Sequence, residues 1–72
     1  MGKRGDFCAI ARKDGKWVVQ QVGSNRSKFV STSEFIAWRE TRRMARGAGT
    51  TAILFNRDGQ VRTQNTYSYI NQ

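Results

Sequence analysis

An α+β fold is predicted for this chain by three observations. Two Asp-Gly turns sit between strand-like runs, at Lys13–Gln21 and Arg57–Asn65. A single amphipathic helix pattern lies between them. The chain has 72 residues, enough for one domain and one small core. The expected order is β-β-(β)-α-β-β, an antiparallel sheet of two hairpins with one helix packed across one face. Residues 1–6 read as a flexible basic N-terminal arm, 7–66 as a single α+β domain and 67–72 as a C-terminal tail.

The first hairpin pairs Phe7–Lys13 with Lys16–Val22, because KDGKW places Asp-Gly between two alternating runs. A type I′ turn of two residues puts Ile10 opposite Val19. Phe7, Ala9, Ala11, Val18 and Val22 then share one side, with Cys8, Ile10, Trp17 and Val19 on the other. GSNRS (Gly23–Ser27) is a loop by composition, and Lys28–Ser31 a short third strand. Ser31 with Glu34 fits a capping box, and Thr32 is an equally good N-cap. The helix is expected from Ser33 to Arg46, closed by Gly47 and Gly49. A second hairpin pairs Thr51–Arg57 with Gln60–Asn65 and sets Leu54 opposite Thr63. Its register places Arg57 and Arg62 on the face of Phe55. TYSYINQ (Thr66–Gln72) extends the last strand, packs on a neighbour or frays.

At about 100° per residue, Ala37, Thr41, Met44 and Ala48 fall on one narrow side of the helix, with Ala45 beside them. These small residues suit a helix lying close on a sheet. Opposite them, Arg39, Arg42, Arg43 and Arg46 follow the spacing i, i+3, i+4, i+7 and form a basic stripe that Phe35 opens. A solvated helix face accounts for such charge, and arginine near a helix C-terminus also favours the helix dipole. The stripe, however, carries almost no interleaved acid. Guanidinium groups beside Phe35 and Trp38 suit bases or carboxylates.

The whole chain carries 13 Lys and Arg against 5 Asp and Glu, a net charge of +8. That balance favours acidic partners, nucleic acid before an acidic protein. Arg12, Lys16, Arg57 and Arg62 in the two hairpins are expected to add to the polyanion surface of Arg39, Arg42, Arg43 and Arg46. Phe35, Trp38 and Trp17 are candidate partner-contact aromatics; Trp17 also reads as a residue that caps the core. With no histidine and one cysteine, no metal spacing, cofactor motif or catalytic constellation is recognisable. A binding module is expected, and no enzyme. The lone Cys8 points to a reducing cytoplasm, and no run is long and apolar enough for a membrane span. Two sheet faces of mixed polarity lead to the expectation of a homodimer.

The W-x-V strand Trp17-Val18-Val19, the F-x-T-like entry Phe29-Val30-Ser31-Thr32 and the turn Arg57-Asp58-Gly59-Gln60-Val61-Arg62 together resemble the bacterial and phage family known as domain of unknown function 2188. The likeness spans nearly all of the chain outside its terminal arms. It implies a compact α+β fold, and it implies no activity and no catalytic residues to carry over. The helix departs from that family's alanine-rich pattern in carrying Phe35, Trp38 and extra arginines.

Overall fold

The computed structural model describes residues 5–67. It holds strands β1 (Phe7–Ala11), β2 (Trp17–Gln21) and β3 (Ser27–Ser31), helix α1 (Glu34–Ala48), then β4 (Thr51–Phe55) and β5 (Val61–Thr66). Lys3 and Arg4 of the expected arm, and Tyr69 and Ile70 of the expected tail, lie outside the described residues. The five strands form one sheet in the order β3-β2-β1-β4-β5.

Both hairpins are present, and they join through a parallel β1–β4 pair that matches Phe7 with Ala52 and Ala9 with Leu54. The sheet is therefore mixed, though mostly antiparallel. The three internal strands are apolar on both sides: Phe7–Ala9, Trp17–Val19 and Ala52–Leu54 are buried without alternation.

Neither turn is type I′, which corrects the expectation. Among the described residues positive φ occurs only at glycine, with 89° at Gly15 and 85° at Gly59. The Arg12 amide donates to the Lys16 carbonyl (2.7 Å) and the Gly15 amide to that of Arg12 (3.2 Å). This is a type I turn followed by a left-handed glycine, with three loop residues rather than two. The extra residue shifts the register by one, so Ile10 faces Val18 and Ala9 faces Val19. A one-residue slip turns a whole strand over. Trp17 and Val19 consequently join Phe7, Ala9 and Ala11 on the helix side. Cys8, Val18 and Ile53 alternate to the opposite side and are buried as well.

The second turn has the same form, with Asn56 and Gln60 in place of Arg12 and Lys16. Here a bulge between Leu54 and Phe55 makes Arg62 the extra residue and leaves Leu54 opposite Thr63, as expected.

The helix N-cap is Ser33, one residue beyond the two candidates, and its hydroxyl accepts from the Ile36 amide at 3.2 Å. Ser31 instead accepts from the Ser33 amide at 3.0 Å, bracing the cap from outside. Glu34 takes no part in a capping box, because its carboxylate pairs with Arg62 across the β5 side. Gly47 remains inside the helix. Gly49 alone closes it, in a Schellman arrangement with the Thr50 amide on the Ala45 carbonyl at 2.9 Å.

The buried helix row is Ala37, Thr41 and Ala45, each with 0% exposure. Thr41 satisfies its hydroxyl on the Ala37 carbonyl at 2.8 Å. These short side chains settle α1 against Ala9, Trp17, Val19 and Leu54 at one end and Phe7 and Ala52 at the other. Ala48, expected on this row, is exposed where the chain turns away to Gly49.

Asp6, placed by the sequence at the end of a flexible arm, is buried. Its carbonyl accepts from the Val22 amide at 2.8 Å, and its carboxylate from the Thr51 amide at 3.1 Å. It thereby ties β2 and β4 to the start of β1.

Candidate nucleic-acid interface

Helix α1 leads directly into β4 and runs antiparallel to it, while β5 runs antiparallel to β4 again. Helix and edge strand β5 therefore run the same way, with a groove between them. Its N-terminal end is lined by Glu34, Phe35 and Trp38 from α1 and by Arg62 and Thr63 from β5, over a floor of Leu54. Its volume is about 510 Å³. A separate, smaller hollow of about 270 Å³ lies farther along the helix, surrounded by Arg39, Glu40, Arg42, Arg43 and Arg46 and closed by Tyr67, the residue that follows β5.

The four helix arginines are not equivalent. Arg43 leans away onto Glu40 at 2.7 Å, and this contact holds its guanidinium pKa above the ordinary value. Arg42 lies 5.4 Å from the centroid of the Trp38 ring, with its Nε on the Trp38 carbonyl at 3.5 Å. That stacking holds the cation over the ring without neutralising it. Arg39 and Arg46 have no acidic partner among the described residues. The two acids on this side, Glu34 and Glu40, are each already paired with an arginine.

Arg12, Lys16 and Arg57 form a separate group. Because β1 and β4 are parallel, the two hairpin turns emerge at the same end of the sheet, where Arg57 sits 5.4 Å over the Trp17 ring. Arg12 is held by Asp14 at 2.6 Å. The Lys16 backbone amide, and then the Arg12 guanidinium, keep the Asp14 carboxyl below its ordinary pKa. Of the turn and strand cations, only Arg62 lines the helix groove. The expected placement of Arg57 and Arg62 on the Phe55 face is corrected by the same geometry. The bulge turns Arg62 toward Glu34, and Arg57 folds onto Trp17, both on the helix side.

The aromatic residues also separate. Phe35 is 67% exposed, and Trp38 is half-buried beneath Arg42. Trp17 is 2% exposed and belongs to the core; the register shift explains why it faces the helix. Tyr67, the first residue of the expected tail, bonds through its amide to the Thr50 carbonyl at 2.9 Å and lines the arginine hollow. A strand continuation is one of the three expectations for Thr66–Gln72, but nothing in the sequence signals the place of Tyr67 beside the helix. Among the described residues no three His, Cys, Asp or Glu come close enough together to hold a metal ion. No helix there is long and apolar enough to cross a membrane.

The profile of a family described as uncharacterized protein conserved in bacteria (DUF2188) matches residues 9–67. No curated protein and no solved structure shows a significant match to the chain.

Proposed function

The chain belongs to that bacterial family, and we propose that it is a nucleic-acid-binding module whose contact surface is the α1–β5 groove. One observation carries this reading. Arg39, Arg42 and Arg46 line one side of the helix with their charge uncompensated, while the nearby acids are occupied by Arg43 and Arg62. Arginines in such a row match successive phosphates, and each neutralised phosphate releases counterions. The exposed Phe35 and the Arg42-covered Trp38 supply rings next to that row. With its thiol buried at Cys8, the module suits a reducing cytoplasm, and its role is binding and not catalysis.

Fluorescence anisotropy with mixed-sequence DNA and RNA at several salt concentrations tests the proposal. Replacing Arg39, Arg42 and Arg46 together by Gln preserves helix propensity. It should weaken binding and flatten the log–log salt slope by about 2 to 3, at 0.7 to 0.9 per phosphate contact. Arg43→Gln, acting on a cation already paired with Glu40, should change the slope by less than the average of those three. If the wild type binds no nucleic acid at low salt, or the triple variant binds as tightly as the wild type, the proposal fails. Docking on an acidic protein surface then becomes the better explanation of the stripe.

A further inference from the structure

We infer that the α1–β5 groove is a single-strand site, in which an unpaired base enters the Phe35–Arg62 end while its neighbouring phosphates lie along Arg39, Arg42 and Arg46. This deepens the proposed function and rests on it.

The two ends of the groove differ in chemistry. The C-terminal end is dominated by cations, four arginines beside Glu40 and Tyr67, with Glu40 taken up by Arg43. The N-terminal end is concave and largely apolar: Leu54, 4% exposed, forms its floor, and Phe35 and Trp38 form one wall. Its volume of about 510 Å³ lies within the range of sites that hold a small planar ligand. The opposite wall carries the Thr63 hydroxyl and the Arg62 guanidinium. Arg62 is ion-paired with Glu34 at the rim, so that donors and an acceptor both face the space a base edge would occupy. Phosphate alone has no use for such an end, since its affinity comes from charge and not from apolar contact.

Phe35 sharpens the distinction. A side chain 67% exposed on the first turn of a helix contributes little to the core and leaves its ring open to contact. Trp38 lines the same hollow but carries Arg42 over its ring, so Phe35 is the more open ring at this end. Every base has a π-face, which makes stacking tolerant of sequence. In a duplex those faces are hidden within the stack, and only groove edges and phosphates are offered. A lone helix enters a major groove about 12 Å wide. Here α1 lies flat on a five-stranded sheet, with Tyr67 and β5 beside it, which broadens the element that would have to enter. From Arg39 to Arg46 the helix advances about 10 Å. Phosphates of one strand are about 3.4 Å apart along the axis when stacked. The row therefore spans about three such intervals, the length of three or four successive phosphates, next to the seated base.

The test compares four labelled probes of about twelve nucleotides, within the usual range of single-strand site sizes. They are single-stranded DNA, single-stranded RNA, the corresponding blunt DNA duplex, and a DNA strand with a central run of abasic sites, which keeps the phosphates and removes the bases. At equal ionic strength the wild type should bind a single strand about tenfold or more tighter than the duplex or the abasic strand. The DNA and RNA arms decide which of the two is favoured. Phe35→Ala should lower single-strand affinity by about 5- to 150-fold, the effect of losing one stacked base. Its effect on the duplex and abasic probes should stay below about twofold, and its melting temperature should stay near that of the wild type because Phe35 is exposed. A duplex bound as tightly as the single strands, or a Phe35→Ala variant that loses the same factor on all probes or none, overturns this inference and leaves nucleic-acid binding standing. Absence of binding to every probe at low salt overturns both.

Discussion

The two hairpin glycines should be expensive to replace, and for a reason that can be isolated. Gly15 and Gly59 hold φ at 89° and 85°. A Cβ built on either meets nothing within 4 Å, so the substitution starts in open space. The main cost of Gly15→Val or Gly59→Val is backbone strain, about 1 to 2 kcal/mol for an L-residue held in the left-handed region, with a β-branched residue at the upper end. In a domain of this size about 1 kcal/mol moves the melting temperature by roughly 4 to 8 °C. Each variant should therefore melt about 5 to 15 °C below the wild type. Two companions separate strain from other causes. Gly15→Asn should cost least, because asparagine tolerates this conformation better than other L-residues. Gly47→Ala, at an exposed helical glycine where the added Cβ also meets nothing, should raise stability by up to about 1 kcal/mol. Thermal unfolding followed by far-ultraviolet circular dichroism at one fixed protein concentration reads all four. If the valine variants melt with the wild type, or if Gly15→Asn costs as much as Gly15→Val, the turn geometry argued above is wrong.

Asp6→Ala should cost about 1 to 3 kcal/mol, because the Thr51 amide loses its carboxylate acceptor; Asp6→Asn, which keeps an acceptor oxygen, should cost less, as judged by denaturant unfolding. Burial raises the Cys8 thiol pKa, so the folded chain keeps this proton to higher pH than the unfolded chain does. Its contribution to stability should be complete below the ordinary thiol range and decline as pH climbs from there through the raised value, a decline that Cys8→Ala should lack in urea titrations across alkaline pH. Folded protein should also react with a thiol reagent far more slowly than unfolded protein.

Much of the architecture is legible because it rests on local chemistry. Asp-Gly between β-branched runs marks a turn whichever turn type forms, and the spacing of Ala37, Thr41 and Ala45 marks the buried side of a helix. The register is less legible, since it depends on whether the loop holds two residues or three. Both types place glycine at a positive φ, so the Asp-Gly signal is the same for each. That single residue decided whether Trp17 faced the helix or turned away from it. Leu54 and Thr63 fell opposite one another only because the bulge at Arg62 offset the longer turn. In the candidate site, periodicity revealed the arginine stripe in full. It did not reveal that Arg43 is engaged by Glu40, nor that Tyr67 and Arg62 stand across from the helix. Those facts follow from β5 lying at the sheet edge next to β4, and strand order is a non-local property.

The parallel β1–β4 pair has a consequence for how the chain reaches its native state. Asp6 and Thr51, which bond where this pair begins, are 45 residues apart. Both hairpins and the helix close over short distances and can form early, whereas the seam between them requires a long loop to be closed first. During synthesis β1 and its hairpin partner leave the ribosome well before β4 does. Over that interval the edge formed by Phe7, Cys8 and Ala9 is apolar and lacks its neighbour, the kind of edge that recruits a strand from another chain. The arrival of Thr51–Phe55 covers it. Slowing translation between α1 and β4 should therefore lower soluble yield more than slowing it after β5.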